Sequence, residues 1–264
     1  MSWLEAALLG IVQGLTEFLP ISSSAHLRIV GEFLPSATDP GAAFTAITQI
    51  GTEAAVLLYF RRDIWRIGSA WLRSPLGKRR EEAPDVRLGW LVILGTLPIA
   101  ILGLLLKDWI EGSLRNLYIT ASMLILFGIL LGAADRFGLR KRELSGMTLR
   151  DGILLGFAQA MALVPGVSRS GGTISIGLLL GYTREAAARY SFLLAIPAVL
   201  ASGFYQLFRH WGEVGPFGFG ETALATAISF IVGYGVIVAF LRIISTYSFM
   251  PFVWYRVAIG SLLL

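Results

Sequence analysis

Long apolar runs alternate with short polar connections along this chain of 264 residues. A helix that crosses the hydrocarbon core of a bilayer needs about 20 predominantly apolar residues. The pattern predicts an all-α polytopic membrane protein with six transmembrane helices, three in each half of the chain. The predicted spans cover residues 42–60, 88–106, 117–134, 186–208, 222–241 and 252–264.

Two further apolar stretches, residues 3–34 and 152–181, are interrupted near their middle by proline and small polar residues. We predict that each is a re-entrant helical hairpin, in which two short helices meet at a break. Lipid cannot satisfy free backbone groups, so both breaks are expected inside the helix bundle. Matching breaks in two halves point to a binding site made of discontinuous helices. The same short motif, a Gly-x-x-Gln sequence followed by a proline, occurs in both stretches. It is Gly10-Ile-Val-Gln13 with Pro20 in the first and Gly156-Phe-Ala-Gln159 with Pro165 in the second.

Because each half has an odd number of predicted spans, the second half enters the membrane from the side opposite to the first. The sequence therefore predicts a single membrane domain, residues 1–264, built as an inverted-topology repeat of residues 1–135 and 150–264. Basic residues are concentrated in 61–87, which we predict to be a cytoplasmic loop, whereas the next connection holds only Lys107 and Arg115. With both termini outside, the hairpins enter from opposite faces and their tips converge near the midplane.

Composition and charge argue against nucleic-acid binding and against cysteine-based sites. Hydrophobic residues make up 55% of the chain, and the mean hydropathy is +0.71. The net charge of +5 could indicate nucleic-acid binding, but the basic residues fall between apolar runs, where membrane orientation explains them. The expected partner is therefore the lipid bilayer and not a nucleic acid. The absence of cysteine excludes disulfides, thiolate nucleophiles and zinc–thiolate sites.

The first hairpin carries an ionisable residue at membrane depth. Gln13 and Glu17 are four residues apart and share one helix face. Intramembrane carboxylates usually mark cavities or pathways, so we expect Glu17 to be functional. One role for its oxygens is to bind a divalent cation. The alternative is a structural ion pair with an arginine. For Glu53, within a predicted span, we favour a structural ion pair with Arg28.

A serine cluster and a histidine follow the first break. Serine is among the best helix N-caps, and a break after Pro20 needs one. One cap does not require three hydroxyls and a histidine, however, and a neighbouring serine and histidine can act as nucleophile and base. The residues concerned are Ser22, Ser23, Ser24 and His26.

The second break contains an arginine, Arg169, flanked by serine and glycine. Its planar fork of donors suits phosphate or carboxylate, and the backbone N–H groups of a helix N-terminus add an anion site. The alternative is that Arg169 only forms an ion pair with Glu17 that holds the hairpins together. Taken together, the two breaks favour a phosphate, and their membrane depth favours a substrate with a lipid tail. The neighbours of Arg169 that are expected to take part in binding this phosphate are Ser168, Ser170, Gly171, Gly172 and Thr173.

Residues 13–26, QGLTEFLPISSSAH, and 165–173, PGVSRSGGT, resemble the two signatures of the bacterial undecaprenyl-pyrophosphate phosphatases of the bacitracin-resistance type. Residues 184–197 also resemble that family, and the similarity spans essentially the whole chain. The resemblance implies removal of the terminal phosphate from the C55 polyprenyl pyrophosphate, a partner lipid of the cell-wall cycle. It also implies a divalent cation, Mg²⁺ or Ca²⁺, and a place in the bacterial inner membrane with the active site facing the extracytoplasmic side.

By position, the resemblance implies that Glu17 is the essential acid and a metal ligand, and that Ser23 is the nucleophile or a phosphate ligand. His26 resembles the acid–base group, and Ser168, Arg169 and Thr173 the phosphate-binding loop. Many members have glutamate where this chain has Gln13, so Gln13 is not a charged ligand here. Attack by Ser23 and attack by water activated by His26 both stay open.

Transport is the competing function, since inverted repeats with broken helices also build secondary transporters. A transporter or lipid flippase would bind an anionic headgroup at the same hairpins. The serine and histidine beside Arg169 favour an enzyme, because transport does not need them. The sequence is compatible with both a monomer and a homodimer.

Overall fold

The computed structural model describes residues 2–34, 39–74, 83–210 and 218–264. Across these ranges the chain folds into α-helices joined by short connections, with one isolated bridge between Arg142 and Tyr182 as the only β-type pairing. The first half contains α1 (Trp3–Thr16), α2 (Ser23–Glu32), α3 (Gly41–Tyr59), α4 (Arg61–Arg73), α5 (Ala83–Leu105), α6 (Lys107–Glu111) and α7 (Leu117–Phe137). The second half contains α8 (Leu149–Ala160), α9 (Arg169–Leu179), α10 (Arg184–Arg209), α11 (Phe219–Thr246) and α12 (Met250–Leu263).

Five helices of the described chain, α3, α5, α7, α10 and α11, are long and apolar enough to cross a membrane. They coincide with five of the six predicted spans, and the chain is an all-helical, multi-pass membrane protein. The sixth predicted span is also helical, but α12 has only 14 residues. At 1.5 Å per residue it extends about 21 Å, short of a hydrocarbon core of about 30 Å.

Both predicted breaks interrupt helices. α1 ends at Thr16, and the chain passes through Pro20 before α2 begins at Ser23. α8 ends at Ala160, a single 3₁₀ turn follows, and α9 begins at Arg169 after Pro165. Each first helix begins with a capping box, in which an N-cap hydroxyl and an acidic side chain three residues later exchange hydrogen bonds, so that the helix start is fixed.

The prediction of a loop over residues 61–87 is wrong for its first and last parts, because residues 61–73 form α4 and residues 83–87 begin α5. Ile67 and Ala70 are buried on one face of this helix, while Arg66 on another face pairs with Asp63 and Asp85. The high density of charge obscured an apolar spacing of three to four residues, which is typical of a surface helix. Residues 75–82 of the predicted loop lie outside the described residues.

Two glycines at matching positions of the hairpins set how closely their first helices pack. A Cβ atom added at Gly10 of α1 would lie 2.6 Å from the carbonyl oxygen of Ala225 on α11. A Cβ atom added at Gly156 of α8 would lie 2.6 Å from the carbonyl oxygen of Gly95 on α5. Each hairpin is therefore packed, backbone against backbone, on a long helix from the other half of the chain.

We expect the Gly156→Ala variant to be less stable, because the added methyl group would force α8 away from α5. Overpacking of this kind costs about 1–3 kcal/mol. The matched control is Gly146→Ala, where an added Cβ meets nothing within 4 Å. Thermal unfolding in detergent measures both variants, and equal midpoints for them would contradict the packing argument.

Candidate active site at the two helix breaks

A buried ion pair joins the two breaks. Glu17 directly follows α1 and Arg169 is the first residue of α9, and the guanidinium donates to the carboxylate through Nη2 and Oε1. The two side chains are only 6% and 15% exposed. The ion pair considered from the sequence is thus present, and it brings the residues of both hairpins together.

The other oxygen of Glu17 collects hydrogen bonds from three helices. Its Oε2 accepts from Gln13 Nε2 at 2.7 Å and from Ser23 Oγ at 2.6 Å. Gln49 Nε2 on α3 is a third, longer donor at 3.4 Å. Gln49 is not among the residues predicted from the sequence, although an amide four residues before Glu53 in an apolar span is a signal that could have identified it.

The two helices that follow the breaks begin with the same unusual geometry. Ser22 and Ser168 have φ values of 74° and 70°, which residues with a side chain rarely adopt. Each hydroxyl accepts from a backbone N–H of the first turn, at Ala25 and Gly171 respectively. Each also lies 3.2 Å from the hydroxyl two residues later, Ser24 or Ser170. Backbone strain of this type costs about 1–3 kcal/mol and persists where the surroundings fix it, often at functional sites.

A cavity of about 540 Å³ lies against these two helix starts. Its other walls are largely apolar, and it extends to the α5–α7 connection at Lys107 and Arg115. A polar floor at the helix starts and apolar walls suit a ligand with an anionic head and a hydrocarbon tail. The predicted site residues that line it are Glu17, Ser22, Ser23, Ser24, Ser168 and Arg169.

The other predicted site residues of the second motif, Ser170, Gly171, Gly172 and Thr173, do not line the cavity. Ser170 Oγ donates to the carbonyl of Leu19, and Thr173 Oγ1 donates to the carbonyl of Arg169 at 2.7 Å. A Cβ atom added at Gly171 or Gly172 would come within about 3 Å of neighbouring atoms, so these two positions serve close packing. Within this structure the four residues support the helix start.

His26 does not line the cavity, and both of its ring nitrogens have partners. Its Nδ1 lies 2.8 Å from the carbonyl oxygen of Ser22, which can only accept, so Nδ1 carries the proton. Its Nε2 lies 2.7 Å from the hydroxyl of Tyr255, and the two rings are stacked. The hydroxyl of Ser23 is directed to Glu17 and not to this ring.

The predicted ion pair between Arg28 and Glu53 is not formed. Arg28 pairs instead with Glu32, one helical turn later on α2, at 2.8 Å and with Asp39 at 3.5 Å. Asp39 also pairs with Arg115 at the cavity mouth. Burial would raise the pKa of Asp39, but its hydrogen bonds and charge pairing with Arg115 outweigh burial and hold that pKa below its ordinary value.

Arg256 of α12 is the second functional feature that the sequence analysis missed. Its side chain is fully buried, and the guanidinium donates to backbone carbonyls of both breaks, Pro20 at 2.8 Å and Gly166 at 2.8 Å. It also donates to Val167 and to Leu124 of α7. An arginine inside a terminal apolar run is the signal that could have identified it.

Comparison with known proteins agrees with the resemblance of the motifs. The family model described as "Bacitracin resistance protein BacA" matches residues 6–262. Undecaprenyl-diphosphatase 2 of Agrobacterium fabrum is 70% identical over 264 residues, which covers 100% of this chain and 95% of the relative. Undecaprenyl-diphosphatase of Micrococcus luteus is 62% identical over 266 residues, with coverage of 100% and 96%. That of Paenarthrobacter aurescens is 65% identical over 263 residues, with coverage of 98% and 95%.

We expect Arg256→Met to destabilise the protein strongly, because several buried carbonyls would lose their donor at once. Each buried polar group left without a partner costs about 1–3 kcal/mol. The control is Arg242→Met, since Arg242 is exposed on α11. Thermal unfolding in detergent is the measurement, and a loss no larger than that of the control would show that Arg256 does not hold the breaks.

Proposed function

Because the chain belongs to the family of bacitracin resistance protein BacA, we propose that it hydrolyses undecaprenyl pyrophosphate to undecaprenyl phosphate and inorganic phosphate. Curated relatives that are 62–70% identical over the whole chain carry the name undecaprenyl-diphosphatase. The product is the lipid carrier of cell-wall synthesis, which the reaction recycles. The observation that carries the proposal is the Arg169–Glu17–Ser23 arrangement at two facing helix starts.

The terminal phosphate binds where the N-termini of α2 and α9 meet the guanidinium of Arg169. Phosphoryl transfer depends mainly on positioning and on neutralising the phosphate oxygens, which N–H donors and an arginine provide. The apolar walls of the cavity then take the first isoprene units of the tail. Phosphate oxygens also compete with Glu17 for Arg169, so that substrate binding releases the carboxylate from its ion pair.

Ser23 is the nucleophile in this proposal and Glu17 is its base. Ser23 Oγ already donates to Glu17 Oε2 at 2.6 Å, which is within the range required for proton transfer. As Oγ bonds to the terminal phosphorus, its proton passes to Glu17 and the P–O bond to undecaprenyl phosphate breaks. Glu17 passes this proton to the departing undecaprenyl phosphate and becomes a carboxylate again. It then deprotonates the water that attacks the phosphoserine, and Ser23 Oγ takes that proton back as inorganic phosphate leaves. His26 holds the Ser22 carbonyl and supports the strained helix start.

The site also fits the divalent cation, Mg²⁺ or Ca²⁺, that the family resemblance implies. These ions prefer oxygen ligands, and the Oε1 atom of Gln13 is a buried oxygen with no hydrogen-bond partner beside the Glu17 carboxylate. Glu17 and Gln13 would hold the ion together with the substrate. A bound cation would neutralise charge on the pyrophosphate oxygens.

The finer membrane architecture belongs to the same proposal. Six spans and two re-entrant hairpins in an inverted repeat are supported by the matching caps of Ser22 and Ser168 and by the matching contacts of Gly10 and Gly156. The cavity extends toward the α5–α7 connection, which is poor in basic residues. That direction supports an active site open to the extracytoplasmic side of the inner membrane.

We expect Arg169→Lys to lower turnover by about 10²- to 10³-fold while the protein still folds, because a point charge cannot replace the bidentate fork. Phosphate release from undecaprenyl pyrophosphate by the detergent-purified protein is the assay, with Arg242→Lys as the control. Wild-type turnover in the Arg169 variant would remove this residue from the site. Failure of the folded wild type to release any phosphate would favour the transporter instead.

We expect Ser23→Ala to lose far more activity than His26→Gln. Loss of the nucleophile removes the covalent step, whereas glutamine retains a donor for the Ser22 carbonyl. Ser245→Ala, at an exposed serine, is the control for Ser23→Ala. Trapping of labelled phosphate on serine would identify the phosphoserine intermediate. A His26 variant with lower activity than the Ser23 variant would instead support attack by water that His26 activates.

A further inference from the structure

We propose that Glu53 of α3 is the second carboxylate of the cation site and binds the ion together with Glu17 and Gln13. The inference rests on the proposed phosphatase function and extends it to a residue that the motifs do not contain. Its basis is a set of buried oxygen atoms around Glu17 that the hydrogen bonds of the protein leave unused.

Glu53 is buried inside the bundle without a partner for one of its oxygens. Its side chain is only 2% exposed, and its Oε1 atom has no hydrogen-bond donor within the described part of the chain. Arg28, the partner expected from the sequence, is engaged with Glu32 and Asp39. A buried carboxylate without a compensating partner is costly, so this position calls for a ligand or a proton.

Glu53 belongs to the same group of charges as the active-site ion pair. It interacts electrostatically with both Arg169 and Glu17. Gln49 precedes it by one helical turn on the same face of α3, and the Gln49 amide donates to Glu17. The face of α3 that carries Gln49 and Glu53 is therefore directed at the Glu17 carboxylate.

The charges of this group do not balance. Of the two carboxylates, Glu17 pairs with the guanidinium of Arg169, whereas Glu53 forms no ion pair within the described residues. Burial makes surplus negative charge expensive, and a cation at this point would remove it. The guanidinium of Arg256 does not serve this purpose by direct pairing, because its hydrogen bonds go to backbone carbonyls.

The available ligand atoms suit a hard cation. The Oε1 atom of Gln13 is fully buried and unpartnered, like the Oε1 atom of Glu53, and the Gln13 amide bonds to Glu17 through its nitrogen. Carboxylate and amide oxygens are the usual protein ligands of Ca²⁺ and Mg²⁺. No three histidine, aspartate or glutamate side chains cluster in the described residues. The site therefore relies on two carboxylates and an amide, with substrate oxygens completing the shell.

Calcium binding without substrate tests the proposal. Isothermal titration calorimetry with calcium chloride is carried out on chelator-stripped protein in detergent, for the wild type and Glu53→Gln. We expect Glu53→Gln to weaken calcium binding by about 10- to 100-fold, the loss typical of altered metal-site residues. The matched control is Glu185→Gln, at a half-exposed carboxylate at the start of α10, which should bind calcium as the wild type does.

A double variant separates ligation from mere burial. Gln13→Glu combined with Glu53→Gln moves the carboxylate from α3 to α1 and should restore calcium binding. Thermal unfolding in chelator checks that each variant is folded, and removal of an unpaired buried charge should leave Glu53→Gln at least as stable as the wild type.

The outcomes distinguish this inference from the proposed function. Wild-type calcium affinity in Glu53→Gln, or no calcium binding by a wild type that releases phosphate, would overturn the role of Glu53 and leave the phosphatase intact. Calcium binding that depends on Glu53, in a protein that releases no phosphate, would support the cation site and contradict the proposed phosphatase function.

Discussion

The structure depends on hydrogen bonds to the free backbone carbonyl and N–H groups at two helix breaks inside an apolar bundle. Neither lipid nor neighbouring apolar side chains can bond a free carbonyl or N–H group there. The protein solves the problem with a single guanidinium, that of Arg256, which reaches carbonyls of Pro20, Gly166 and Val167. Serine caps satisfy the N–H groups on the other side of each break. The site can exist because α12 supplies a donor to both breaks at once.

Once the breaks are stable, their helix starts become chemically useful. Serine residues of both helix starts line one cavity, and the positive φ angles of Ser22 and Ser168 are part of that geometry. Glu17 and Arg169 neutralise each other across the gap between the two hairpins. In the proposed reaction, a phosphate that binds Arg169 leaves Glu17 hydrogen-bonded to the hydroxyl of Ser23. The same ion pair thus joins the two hairpins and, in the proposed reaction, holds the base in position.

Local sequence patterns predicted much of this arrangement. Apolar run length identified five spans, and proline followed by serine identified both breaks, because each depends on residues close together in the chain. The contacts of Glu17 with Gln49 and of Arg256 with the breaks join residues far apart in sequence, which a single sequence does not specify. The pairing of Glu53 with Arg28 failed for the same reason. Helix α4 was missed because five of its thirteen residues are charged, which gave the segment the composition of a polar connection.

The two copies of the motif have kept the same backbone and diverged in chemistry. Gln13 and Gln159 occupy matching positions, and both are fully buried. Glu17 lies four residues after Gln13 and accepts a hydrogen bond from its side-chain amide. The residue four positions after Gln159 is Leu163, an apolar residue of the cavity wall. Both amide atoms of Gln159 consequently lack a partner in the described structure. One copy provides Glu17, the base of the proposed reaction, and the other provides Arg169. A single asymmetric site therefore forms between two similar hairpins, whereas two symmetric sites would each lack one of these residues.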